Sequence, residues 1–192
     1  MHGKFIVVVG PSGSGKGTLI AHIKPLFPDI RYATSATTRA AREGEKHYAS
    51  YFYLTVPEFT ARIEHNDFLE WAEYGGNFYG TLKSEVLPHL DSGLSVLKEM
   101  EVQGARKILQ ALPRGSLALV FIRAGSWDEM EKRIQARAPM SAEELLKRKA
   151  RYEDEMSFIA EADFIVDNPM GKVEEAKKQF EEVIRSIIEV AR

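Results

Sequence analysis

The chain has 192 residues, enough for one α/β domain with a core that folds alone, and its 44% hydrophobic and 28% charged residues are ordinary for a globular protein. A net charge of −2 with a pI near 6.2 argues against a nucleic-acid-binding surface, and the absence of cysteine excludes disulfides, cysteine-ligated zinc and thiol catalysis. No apolar run reaches the length of a membrane span and no basic leader precedes the first one, so a soluble, cytoplasmic protein without membrane or nucleic-acid partners is expected.

In chain order, Phe5 to Val9 is a continuous β-branched run, as in a strand buried on both faces of a parallel sheet. A helix should begin around Lys16 and stop before Pro25. From about Ala33 to Thr81 the rhythm changes. Tyr48, Tyr51, Phe52, Tyr53, Trp71, Tyr74, Phe78 and Tyr79 alternate with polar residues and short turns, which predicts a small, partly antiparallel insertion with one amphipathic helix, "PEFTARIEHN". "GLSVLKEM" and "SLALVFIR" read as two more buried strands and "DFIVD" as a last one. Helical stretches lie between them near 101–111, 126–137 and 141–160, the last capped by Ser141 after a loop at Pro139. A final helix from about Met170 carries Val173, Ala176, Phe180, Val183, Ile184, Ile187 and Ala191 on one stripe, best read as core packing. Alternating strands and helices imply a parallel sheet with helices on both faces.

The first motif with chemistry in it is "VVVGPSGSGKGTL". Gly10, Pro11, Ser12, Gly13, Ser14, Gly15 and Lys16 fit the phosphate-loop pattern, between a predicted strand and a predicted helix. Its glycines let successive N–H groups cradle phosphate oxygens, the helix adds its positive end, and Lys16 reaches the β- and γ-phosphates. The next position usually carries Ser or Thr for Mg²⁺; here it is Gly17, with Thr18 roughly one hundred degrees further round the helix. The loop should therefore still bind ATP, with its Mg²⁺ held more through phosphates and water.

Two further stretches, "TSATTRAAREGEKHYASYFY" and "FLEWAEYGGNFYGT", together with the order of motifs along the whole chain, resemble the guanylate kinase family. The loop variant "GKGT" is similar to that of nucleoside monophosphate kinases generally. The resemblance implies a phosphate-loop NTPase-type parallel sheet flanked by helices, with a small mixed α+β acceptor-binding insertion and a helical lid. Its parts are a core of about 1–33, 82–136 and 149–192, an insertion of about 34–81 and a lid of about 137–148. It implies transfer of the γ-phosphoryl group of ATP to GMP, with Mg²⁺, in purine nucleotide metabolism; use of dGMP is left open. Arg39, Arg42, Tyr51 and Tyr79 would hold the GMP phosphate, with Glu45 of the same motif in the GMP-binding set. Ser35, Glu70, Thr81 and Glu101 would read guanine.

The chemistry of these residue types suits those roles. Two guanidinium groups three residues apart can fork onto one dianionic phosphate. Carboxylates accept from the N1–H and N2 amine of guanine, hydroxyls donate to O6, and AMP would leave such carboxylates unpaired. Where the family has a leucine and then two aspartates, this chain has Lys98, Glu99, Met100 and Glu101. The spacing survives, so Glu99 would act near Mg²⁺ through its waters and Glu101 at the guanine edge. The arginines implied for a lid closing over ATP are Arg133, Arg137 and Arg148; Arg151 reads as a solvated charge. Near the end Asp167 precedes Asn168, the reverse of the family order, which leaves an adenine contact there unsupported. Two alternatives stand beside the kinase: a non-catalytic interaction module of the same fold, and a kinase for a different phosphorylated acceptor. Retention of Gly10, Gly15 and Lys16 opposes the first, and Ser35, Glu70 and Thr81 oppose the second.

Overall fold

A computed structural model describes residues 3–45, 51–137 and 140–191. From the N-terminus the core runs β1 (Phe5–Val9), α1 (Lys16–Ile23) and β2 (Arg31–Tyr32). There follow β3 (Ser35–Thr37), β4 (Phe52–Tyr53), α2 (Val56–Glu64), β5 (Phe68–Tyr74) and β6 (Asn77–Leu82). The core resumes with α3 (Leu87–Asp91), β7 (Val96–Glu99), α4 (Val102–Ala111), β8 (Leu117–Arg123), α5 (Trp127–Arg137), α6 (Ala142–Ser157), β9 (Phe164–Asp167) and α7 (Val173–Ala191).

β1 is apolar at every position because it is the middle strand of a five-stranded parallel sheet ordered β2-β7-β1-β8-β9. Side chains alternate along a strand, so its residues divide between two cores. Phe5, Val7 and Val9 pack with Ala105 and Ile108 of α4 on one face, and Ile6 and Val8 with Leu19 of α1 and Phe180, Ile184 and Ile187 of α7 on the other. The predicted apolar stripe of the last helix is thus a core stripe. That helix begins at Val173 instead of Met170: Gly171 takes a left-handed φ of 79° and Lys172 N–H turns back to the Pro169 carbonyl.

The insertion builds a second sheet, ordered β4-β3-β6-β5, in which β6 runs antiparallel to both neighbours and β3 pairs with β4 in parallel. Its core is small. Phe59 of α2 stacks on Phe68 and Phe78 with ring centroids 4.4 and 5.4 Å apart. Thr55 and Glu58 cap α2 reciprocally, and Ser141 and Glu144 do the same for α6, so the predicted Ser141 cap is present. Tyr48 and the loop at Pro139 lie outside the described residues. Among the described residues no helix is long and apolar enough to cross a membrane. The carboxyl ends of β1 and β7 and the facing row of the second sheet open onto one cleft, where parallel α/β sheets place ligands.

Candidate active site

The loop between β1 and α1 turns through Gly10, Gly13 and Gly15, all at positive φ. Two of them have no room for a side chain: a Cβ would stand 2.4 Å from the Ile122 carbonyl at position 10 and 2.4 Å from Asn168 Nδ2 at position 15. Lys16 folds back over the loop and donates to the carbonyls of Gly10 (2.7 Å) and Pro11 (3.1 Å), with the Glu99 carboxylate 3.9 Å away. Burial pushes its ammonium below the usual lysine range, against the opposing pull of Glu99 and Glu155. Ser14 is fully buried, and its carbonyl accepts from the buried Asn168 Nδ2 at 2.7 Å. Ser12 is exposed and its N–H points at Glu155 (3.4 Å), while Gly17 and Thr18 stand exposed on the first turn of α1.

The reversed order at 167–168 has a local explanation. Asp167 pairs with Arg123 across the β8–β9 edge, with its second oxygen 2.8 Å from the guanidinium, and Asn168 takes the inward position against the phosphate loop. Asn168 is therefore a brace of the loop, a role that sequence reading missed.

The predicted base-reading residues come together through strand register. Ser35 of β3 lies opposite Thr81 of β6, and Thr81 opposite Glu70 of β5. Thr81 donates its hydroxyl proton to Glu70 Oε1 at 2.5 Å, whereas Ser35 accepts from Lys98 Nζ at 2.6 Å. Lys98 is only 4% exposed, and burial pushes its ammonium down to about 8 although Glu70 and Glu85 draw it up. Gly104 at the start of α4 keeps room beside Glu70, whose Oε2 would be 3.3 Å from a Cβ there.

At the other end of the row, Arg39 is held by both oxygens of Glu45 (3.0 and 2.9 Å) and lies over the Tyr51 ring, 5.4 Å from its centroid. Tyr51 and Tyr79 meet edge to face at 6.3 Å. Glu45 also accepts from the Arg42 N–H and the Tyr53 hydroxyl, both at 2.8 Å. Those hydrogen bonds, led by the backbone N–H, hold its carboxyl down at about 2. Glu45 thus serves as the clamp that aims Arg39, and Arg42 stands exposed on the rim.

Above the cleft, Arg148 lines a second cavity of about 310 Å³ together with Ser12, Trp127 and Tyr152. Arg133 and Arg137 fall on α5, but their side chains lie outside the described residues. Arg151, expected to be a solvated charge, is instead a tie. It donates to Glu101 (2.7 Å) and to the Tyr74 hydroxyl (3.0 Å), and lies 3.5 Å from Glu155 one turn along α6. Burial raises the Glu155 carboxyl above its ordinary range despite Arg151 and Lys16. Glu101 lines the main cavity with its carboxylate on Arg151, while Glu99 faces Lys16. The i,i+4 spacing of Arg151 and Glu155 was the available signal for this pair.

Fold and site together define a phosphate-loop kinase whose second sheet faces the loop across one cleft. The guanylate kinase family profile matches residues 2–187. Guanylate kinase of Rubrobacter xylanophilus is 41% identical over 186 residues, covering 97% of this chain and 95% of that protein. Guanylate kinase of Trichodesmium erythraeum is 40% identical over 166 residues, 86% of this chain and 88% of that one. The crystal structure of guanylate kinase from Anaplasma phagocytophilum superposes with a TM-score of 0.73 at 26% identity, over 96% of this chain and 86% of that one. The chain belongs to the guanylate kinase family, and it is an enzyme of that class.

Proposed function

We propose that this chain transfers the γ-phosphoryl group of ATP to GMP, giving ADP and GDP, by direct in-line displacement in the presence of Mg²⁺. One observation carries the reading. A single cavity of about 590 Å³ has Gly10, Gly13 and Lys16 in one wall and Ser35, Glu70, Tyr51 and Tyr79 in the other, so donor and acceptor share an enclosure.

Each group then has a task set by its chemistry. Lys16, already desolvated, exchanges its loop carbonyls for the β- and γ-phosphoryl oxygens. Arg39, pre-aimed by Glu45, forks onto the acceptor phosphate beside the Tyr51 and Tyr79 hydroxyls, with Arg42 reaching in from the rim. Glu70 accepts from the base N–H groups, and Glu101 can do so once released from Arg151. Arg133, Arg137 and Arg148 supply positive charge over the transferring group. Holding two reactants in line converts a bimolecular reaction into a unimolecular one, and no covalent intermediate is required.

The residues fit Mg²⁺. Glu99 offers a hard carboxylate oxygen, and a Cβ at position 17 would stand 3.9 Å from its Oε2, where phosphate-loop proteins usually carry the metal-binding hydroxyl. Among the described residues no group of three metal-binding side chains surrounds it, so Glu99 would hold the ion through water, with phosphates supplying the other positions. When bound, the ion offsets charge on the phosphoryl oxygens.

The test is a coupled ADP-release assay with ATP and excess Mg²⁺, comparing GMP with AMP and repeated with chelator. Turnover with GMP, at least a hundredfold above AMP and abolished by chelation, is the expected result. No turnover with GMP would refute the proposal.

A further inference from the structure

Lys98 sits on β7 between the buried Leu97 and the exposed Glu99, and although buried itself it lines the main cavity. An ammonium has protons to give and no lone pair, so Ser35 Oγ, 2.6 Å away, must accept from it. The Ser35 hydroxyl then has to turn its own proton elsewhere, and among the described residues it has no acceptor. The cavity is what remains. In the same row Thr81 gives its proton to Glu70 Oε1, so Thr81 is not a free donor and Glu70 keeps a second oxygen for accepting. The cavity wall therefore carries one donor of fixed sense at Ser35 and one acceptor of fixed sense at Glu70, arranged by cross-strand register.

That pair complements a ligand edge on which a carbonyl stands beside an N–H. A purine with oxygen at C6 has such an edge, next to N1–H. A purine with an amino group at C6 and a bare N1 has the reverse, and would set donor against donor and acceptor against acceptor. We propose that Lys98 is a specificity-determining residue of this site: by forcing Ser35 to act as donor, it selects nucleotides whose purine carries a 6-oxo group. The inference rests on the acceptor reading given above. Lys98 acts through Ser35 and is a positioning residue.

The opposing role is neutralisation of Glu70 and Glu85, which face Lys98 from β5 and from the turn after β6. The two roles separate by ligand. Calorimetric titration of the full chain with GMP, inosine monophosphate, AMP and 2-aminopurine ribonucleoside monophosphate compares wild type, Lys98→Met, Ser35→Ala and the double variant. Lys98→Met should weaken GMP and inosine monophosphate by about 10- to 100-fold, the range for a hydrogen bond backed by a charge, and leave the two ligands without a 6-oxo group within about twofold. Ser35→Ala should reproduce that pattern, and the double variant should lose no more than either single one.

Equal weakening of all four ligands would overturn the proposal, since neutralisation or a contact to ring N7 predicts that result. So would unchanged GMP binding by Lys98→Met while wild type binds GMP, an outcome that leaves the acceptor reading intact. Wild type that binds none of the four would overturn both. Should Lys98→Met fail to fold, Ser35→Ala alone decides: a loss indifferent to the 6-substituent overturns the proposal.

Discussion

Replacing Lys98 with methionine removes a buried charge while keeping most of the side chain's length. Its ammonium is displaced from 10.5 to about 8, chiefly by burial, which corresponds to roughly 3 kcal/mol against the folded state at neutral pH. The attraction of Glu70 and Glu85 is already contained in that figure. The variant also loses the hydrogen bond to Ser35, worth about 1 kcal/mol. A net gain of about 2 kcal/mol follows, or a rise in melting midpoint of about 4–8 °C for a chain of this size. The pH dependence gives an internal check. Below about 8 the folded and unfolded chains both carry the proton, and the full cost stands. As pH rises from about 8 toward 10.5 the folded protein sheds the proton first, so the cost fades and wild type gains on the variant. Urea unfolding of both proteins at pH 7, 9 and 10.5, without ligand, measures the gap. A variant less stable at pH 7 would refute the reasoning, and would mean that stranding Glu70 and Glu85 outweighs relief of the buried charge. So would a gap that does not narrow with pH.

Three other outcomes are expected. Glu70→Gln, which replaces half of a carboxylate acceptor by a donor, should lower kcat/KM for GMP by about a hundredfold while leaving ATP binding within about twofold; equal losses would mark Glu70 as structural. Asn168→Ala strands the buried Ser14 carbonyl, so it should cost about 1–3 kcal/mol in unfolding and raise KM for ATP without changing KM for GMP. Glu45→Gln should raise KM for GMP several-fold at every pH above 5. Its carboxyl is held down at about 2, so the clamp on Arg39 stands above its ordinary pKa of 4.5 and is lost only as pH falls toward 2. A KM profile from pH 5 to 8, parallel for both proteins, checks it.

The parts legible in sequence were those whose signals are local. Five consecutive apolar residues, most of them β-branched, mark a strand buried on both faces, and a lysine after a glycine turn declares its loop. The row Ser35–Thr81–Glu70 was reachable as a motif, but its hydrogen-bond polarity was not, because polarity depends on a lysine 63 residues from its serine partner. Within "SVLKEM" that lysine resembles any charge on a strand; the groups it meets, Ser35 and Glu70 of the second sheet and Glu85 after β6, are remote in sequence. Arg151 sits on a helix with many charges, and nothing local separates it from Lys147 or Lys149, which do not reach Glu101. The bond from Asn168 to Ser14 spans 154 residues and leaves no local trace.

That last span has a temporal meaning. The phosphate loop is synthesised well before the segments that prop it. β1 needs β7 and β8, through pairings such as Phe5 with Val96 and with Leu117, and Ser14 needs Asn168. Until Asn168 has emerged the loop lacks that brace, although the partners of Lys16, the Gly10 and Pro11 carbonyls and Glu99, are already made. Contacts of such separation close slowly, so a nascent chain would carry the motif through the next 154 residues with its loop unbraced and its capture of nucleotide weakened. The same connectivity makes nucleotide binding a report on the completeness of the sheet, since a product cut short before β9 would keep the sequence of the site and lose the site itself.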